Sequence, residues 1–125
     1  MFENLEDYQW GNDEDLLSLG LERWEETTTN GVRDMHFLRS LGTSLIASFP
    51  GEPIGSRYQL RLCIKFTVYI SDNPHVSTAE NFDYEFEGVF LEVLQRDGHE
   101  VLTEFETRTA TMHELRSLIA NFTSD

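Results

Sequence analysis

Alternating apolar and polar residues mark one long segment of the chain, Arg57–Ile70. Its even-numbered positions are all apolar, whereas the odd-numbered positions from Gln59 to Thr67 are polar or charged, apart from Cys63. Successive side chains of a β-strand point to opposite faces of the sheet. This period of two therefore predicts one long strand with a single buried face.

A second strand follows this one, and its apolar positions predict the pairing. With a loop at 71–81, symmetric pairing places Phe66 opposite Phe86 on the apolar face, which we call the inner face. The same pairing places Lys65 opposite Glu87 on the other face, the outer face. A register that matches apolar with apolar residues is the one a half-buried sheet selects.

A third strand is predicted by Asp97-Gly98, a two-residue hairpin signal. A turn there pairs Leu94 with Val101 and keeps Phe90 and Phe105 on the inner face. The same register places Glu92 on that face, where a buried carboxylate would be a candidate catalytic acid. A carboxylate near the end of the sheet that reaches water is the alternative.

Helix signals lie on both sides of these strands. Asn12, followed by three acidic residues, is typical of a helix N-cap and predicts a first helix that extends to Trp24. Residues Arg33–Phe49 carry apolar side chains at helical spacing and predict a second helix. A hairpin turn at Asn30-Gly31 with a short strand at Ser44–Phe49 is the alternative.

A last helix is predicted from about Met112 to Phe122, because Thr111 and Glu114 form a capping-box pattern. The expected fold is therefore a single α+β domain over 1–125. It consists of N-terminal helical segments, a three-stranded antiparallel β-meander and a C-terminal helix packed on the aromatic inner face.

The outer face of the predicted meander has an acidic end and an apolar end. The acidic residues are Asp83, Glu85, Glu87, Glu104 and Glu106. The apolar residues are Val89, Leu91, Val93 and Leu102. An apolar patch of this kind should be covered by the N-terminal segment, by a second copy of the chain or by a partner.

The N-terminal segment 1–30 is acidic and could serve as a lid or arm over this patch. Its natural lid residues are Phe2, Leu5, Tyr8 and Trp10. Its acidic residues Asp13, Glu14 and Asp15 would extend the negative surface of the outer face.

Charge narrows the range of partners. The chain of 125 residues has a formal net charge of −14, which argues against direct binding to nucleic acid. Its apolar runs are too short to span a membrane, and its acidic first ten residues predict no signal peptide. The expected location is the cytoplasm, that of the host cell if the protein is viral.

Sequence motifs for catalysis are absent. The chain lacks a glycine-rich phosphate loop, a G-x-S-x-G elbow, an HExxH motif and paired CxxC motifs. Its four histidines are scattered, and its one cysteine, Cys63, excludes an internal disulfide and a multi-cysteine zinc site. We therefore expect a protein without enzymatic activity, metal or cofactor.

Taken together, these features predict an acidic binding or inhibitor protein that masks the basic surface of a nuclease, a toxin or a nucleic-acid-binding protein. An immunity protein and a phage-type inhibitor of a defence nuclease fit this description. Two alternatives remain. In outline, the predicted fold resembles the small acidic dimeric chaperones of type III secretion systems, a fold-level analogy without a motif match. A component of a virion or of another assembly is the other alternative.

Overall fold

The computed structural model describes residues 2–29, 31–45, 57–70, 82–95 and 100–123. Within these ranges, five strands form one antiparallel sheet in which each strand pairs with the next along the chain. The strands are β1 (Glu22–Thr29), β2 (Val32–Leu45), β3 (Arg57–Ile70), β4 (Phe82–Leu94) and β5 (Val101–Glu106). The helices are α1 (Asp13–Leu17) and α2 (Met112–Thr123), and two 3-10 turns, Leu5–Asp7 and Trp10–Asn12, precede α1.

The prediction of a three-stranded meander is wrong because the segment read as a second helix is strand β2. Its apolar residues come from both faces of the sheet. Met35 and Phe37 are buried on the inner face, whereas Leu38 pairs with Cys63 on the outer face. A register shift between Ser40 and Gly42 changes the alternation again. Apolar positions on both faces of a strand, together with a bulge, thus imitated helical spacing.

The hairpin alternative describes this region better. Thr29 of β1 pairs with Val32 of β2, so the connection lies at 30–31. Ser44 and Leu45 are the last residues of β2, and the remainder of the alternative strand, 46–49, lies outside the described residues.

The first predicted helix is much shorter than its apolar residues suggested. Helix α1 ends at Leu17, and Gly20 follows with a φ of 82°, a conformation that L side chains rarely adopt. Leu21 is buried just beyond this turn, and Trp24 lies in β1. The run Thr27–Thr29 favours a strand, because β-branched residues fit a pleated surface better than a helix.

The register between β3 and β4 is partly as predicted. Phe66 pairs with Phe86, and the pairing continues as expected to Ile70 and Phe82. Beyond this point the register shifts, so that Lys65 pairs with Gly88 and not with Glu87. Gly88 has a φ of 147° and marks the bulge. One extra residue in β4 exchanges the two faces for the remainder of that strand.

This exchange contradicts the predicted apolar patch on the outer face. Val89, Leu91 and Val93 pair with the inner-face residues Ile64, Leu62 and Leu60, respectively. Val89 and Val93 are fully buried there. Leu102 lies where the β4–β5 register shifts a second time, and it packs against a small buried cluster that contains Tyr58, Leu60 and Val93.

The same exchange moves two residues that were predicted on the inner face. Phe90 pairs with Cys63, and Glu92 pairs with Arg61, so both lie on the outer face. On β5, Leu94 pairs with Val101 as predicted, but Glu92 faces Glu104 and not Thr103.

The inner face carries the main core. Residues from the first 3-10 turn, α1 and α2 contribute to it, including Leu5, Leu16 and Leu115, which are fully buried. Helix α2 begins where the capping box predicts, since the Glu114 amide donates a hydrogen bond to Thr111 Oγ1 at 3.1 Å. The aromatic inner face is therefore covered by helix, as expected.

The N-terminal segment packs on the inner face and not over the outer face. The Leu5 amide donates to the Ala110 carbonyl at 2.9 Å, and the Met112 amide donates to the Glu3 carbonyl at 2.7 Å. Tyr8 is buried, with its ring centroid 4.7 Å from that of Phe66. The predicted lid therefore covers the core side of the sheet, and this leaves the outer face without it.

Replacing Gly88 with alanine should destabilise the protein by about 1–3 kcal/mol, because its backbone conformation is strained for any L side chain. The added Cβ would also lie 3.1 Å from the Phe90 ring. Gly11→Ala is the matched control, since nothing lies within 4 Å of a Cβ at that position. Urea unfolding of the two variants measures the difference. Equal stabilities would contradict the bulge at Gly88.

Candidate functional site

The outer face of the sheet is strongly acidic. Among its described side chains, the strand registers place nine acidic and two basic residues. The acidic residues are Glu22, Glu26, Asp34, Asp83, Glu85, Glu87, Glu92, Glu104 and Glu106. The basic residues are Arg61 and Lys65. The helical regions place their buried residues in the inner-face core, so the described helices do not cover these charges.

Both basic residues are already paired. Arg61 Nε donates to Glu92 Oε1 at 2.8 Å, and Lys65 Nζ donates to Glu104 Oε2 at 2.7 Å. Lys65 also lies 4.4 Å from the centre of the Phe90 ring. Although partial burial disfavours its charged form, the hydrogen bond to Glu104 raises the pKa of Lys65 above its ordinary value. Both cations therefore neutralise carboxylates of the outer face itself.

The other predicted acidic residues of this face remain without a cation among the described residues. Asp83, Glu85, Glu87 and Glu106 are exposed and form no ion pair there. Two of them accept hydrogen bonds from neutral hydroxyl groups: the Tyr69 hydroxyl donates to Glu85 at 2.8 Å, and the Thr67 hydroxyl donates to Glu87 at 2.9 Å. The hydrogen bond to Glu85 raises the pKa of Tyr69, which keeps that hydroxyl protonated.

The N-terminal acidic residues do not extend this surface. Asp13, Glu14 and Asp15 lie on α1, whose Leu16 is buried in the inner-face core. Asp13 forms an ion pair with Arg23. Burial raises the pKa of Asp13 despite the opposing effect of that arginine. The structure thus separates the two groups of acids that the sequence analysis combined.

The sequence analysis missed an aromatic pair on the same face, formed by an exposed tryptophan and a half-buried histidine. Trp24 of β1 pairs with His36 of β2, and their ring centroids lie 5.2 Å apart at an interplanar angle of 32°. Trp24 remains 43% exposed. Burial lowers the pKa of His36, and the neighbouring Lys65 lowers it further. The signal that could have revealed this pair is the threonine run after Trp24, which favours a strand.

Cys63 and Glu92 have ordinary structural environments. The Cys63 thiol is fully buried, and burial raises its pKa to about 12, which is unsuited to nucleophilic attack. Glu92 forms an ion pair with Arg61. It is not among the residues that line the described depression beside Arg39, which are Gly20, Glu22, Leu38, Arg39, Ser40 and Arg61. Neither residue forms a group with other potential metal ligands in the described part of the chain.

Comparisons with known proteins are uninformative for this chain. It matches no protein-family model, no curated protein and no solved structure. In the described residues, no helix is both long enough and apolar enough to cross a membrane. Function must therefore be argued from the outer face itself.

The thiol of Cys63 should be inert in the folded protein. At pH 8 its thiolate population is about 1000-fold below that of an ordinary thiol, given a pKa of about 12 against a usual value of 9.0. Alkylation by iodoacetamide, followed by mass spectrometry, should be very slow in buffer and rapid in denaturant. Rapid labelling of the folded chain would contradict the buried position of Cys63.

Proposed function

We propose that this protein is a non-enzymatic binder whose outer sheet face docks on a basic surface of another protein and masks it. The observation that carries this proposal is the charge of that face. Seven of its nine acidic side chains have no ion pair with a described cation. The helical regions pack their buried residues against the opposite side of the sheet.

The spacing of these acids favours a cationic partner. Same-face neighbours lie about 7 Å apart along a strand and about 5 Å apart across strands. Like charges at these separations repel one another, as at Glu26 and Asp34, which pair directly between β1 and β2. A basic surface placed against the face would relieve this repulsion. It would also be steered onto the face by the field, which raises the rate of association.

The partner we propose is a nuclease, a toxin or another nucleic-acid-binding protein. Such proteins bind phosphates with clustered lysine and arginine side chains. A row of carboxylates can bind those side chains in place of the nucleic acid phosphates. An immunity protein or an inhibitor of a defence nuclease would act in this way, in the cytoplasm. Nucleic acid itself is an unsuitable ligand, since its phosphates would face the same carboxylates.

A homodimer through the outer face is the less favourable arrangement. Two copies would bring the rows that contain Asp83, Glu85 and Glu87 towards rows of the same sign, at a cost in stability. Arg61 and Lys65, the two cations among the described side chains of this face, already pair with acids of their own chain. The geometry thus favours a partner of different composition over a second copy.

The test compares two variants with the same net charge. The outer-face variant carries both Glu85→Lys and Glu87→Lys and reverses two outer-face charges. The control variant carries both Glu6→Lys and Glu14→Lys and reverses two exposed charges on the helical side. Tagged proteins are incubated with lysate of the source cells at low and at high salt. The wild type and the control should retain a basic protein at low salt, and the outer-face variant should lose it.

Two results would contradict the proposal. One is equal retention by both variants, which would show that the outer face is not the contact surface. The other is retention that does not weaken with salt, since screening should reduce an interaction between exposed charges.

A further inference from the structure

The geometry points to Trp24 as the residue that selects arginine over lysine in the partner, because an arginine side chain can stack on its exposed indole. This inference rests on the proposed function. The partner would then need more than a basic surface: it would have to present an arginine to the β1 side of the sheet. The occupant is thus a guanidinium group of another protein.

The shape of the indole site is the first argument. The Trp24 ring packs against the His36 ring in a tilted arrangement, with centroids 5.2 Å apart at an interplanar angle of 32°, yet 43% of Trp24 is exposed. A tryptophan left this open on a strand is unusual, because its burial would bring a large gain in free energy. Cross-strand stacking on His36 fixes the ring in one orientation, so that little side-chain entropy is lost when a second planar group stacks on it.

The surrounding charge is the second argument. Glu22 and Glu26 lie two residues before and after Trp24 on the same face, about 7 Å away. Asp34 pairs with Glu26 on the neighbouring strand. Both glutamates are exposed, and among the described residues neither forms an ion pair. The indole is thus bordered by carboxylates, which repel phosphates and attract cations.

Among the described residues, no cation of the chain is paired with the carboxylates that border Trp24. Lys65 pairs with His36 across β2 and β3, but its ammonium group is bound to Glu104 and lies against Phe90. His36 adds little positive charge beneath the indole, since burial lowers its pKa. An incoming cation therefore meets the aromatic face without a competing positive charge from Lys65 or His36.

Arginine fits this position better than lysine. Its guanidinium is planar, stacks on aromatic faces and donates two parallel hydrogen bonds to a carboxylate, whereas the lysine ammonium is compact and strongly hydrated. Tryptophan is the best aromatic acceptor for such a cation, and the interaction contributes about 0.5–1 kcal/mol at an exposed site. A stacked arginine could reach Glu22 or Glu26 at the same time.

The test uses nona-arginine and nona-lysine peptides, which have equal charge. Calorimetric titration at low salt should show that the wild type binds nona-arginine about two- to five-fold more tightly than nona-lysine. In Trp24→Leu this preference should disappear while the affinity for nona-lysine stays unchanged. Phe105→Leu is the matched control, because Phe105 is an aromatic residue of similar exposure, 54%, on the inner-face side of β5, and it should keep the preference.

A second variant distinguishes loss of the aromatic contact from an effect on folding. Trp24→Phe keeps an aromatic ring and should retain part of the preference for arginine, with an unchanged circular dichroism spectrum. An arginine preference in Trp24→Leu equal to that of the wild type would overturn the inference and leave the proposed function intact. Two other results would contradict the proposed function and the inference together. In the first, the wild type binds neither peptide. In the second, the double variant with Glu85→Lys and Glu87→Lys binds both peptides as tightly as the wild type does.

Discussion

The bulge at Gly88 is the constraint on which the arrangement of both sheet faces depends. Before it, the even-numbered residues of β4 point to the core, and after it the odd-numbered residues do. Without this exchange, Val89 and Val93 would face water and Glu92 would point into the core. Each buried aliphatic side chain contributes about 1.5–3 kcal/mol to stability, and an unpaired buried carboxylate opposes it. A glycine at this position removes the steric penalty of the bulge.

The two faces that result are chemically distinct. The inner face is closed by the N-terminal segment, α1 and α2. Backbone hydrogen bonds at Leu5 and Met112 join the N-terminal segment to the start of α2. The outer face holds a row of ion-paired and aromatic side chains in its middle, with exposed carboxylates around them. One side of the sheet therefore carries the core, and the other is the side that we propose meets a partner.

Local patterns in the sequence predicted those parts of the structure that depend on a regular period. The alternation of β3, its register with β4 from Phe66 to Ile70, and the capped start of α2 are examples. The β1–β2 hairpin was only the alternative prediction, because β2 carries apolar residues on both faces and its spacing resembles that of a helix. The bulge was not predicted either, since the conformation of Gly88 is determined by pairing with a distant strand.

The placement of the β5 acids shows how two local errors can cancel. The first register shift, at Gly88, exchanges the faces of β4, and the second, between Val93 and Leu94, exchanges β5 relative to β4. Glu104 and Glu106 therefore lie on the outer face, as the simple alternation of the sequence placed them. Val89, Leu91 and Val93 had only the first shift and moved to the core. A surface predicted by alternation is thus sensitive to the number of bulges that precede it.

The claim that the outer face meets the partner is tested most directly by carboxyl footprinting. The chain, alone and bound to its captured partner, is labelled with a carbodiimide and glycinamide, and the labelled sites are quantified by mass spectrometry. Our account predicts that Glu85, Glu87 and Glu106 label readily in the free chain and are protected in the complex, whereas Glu6 and Glu14 label equally in both. Protection confined to Glu6 and Glu14, with the outer-face carboxylates still labelled, would contradict it.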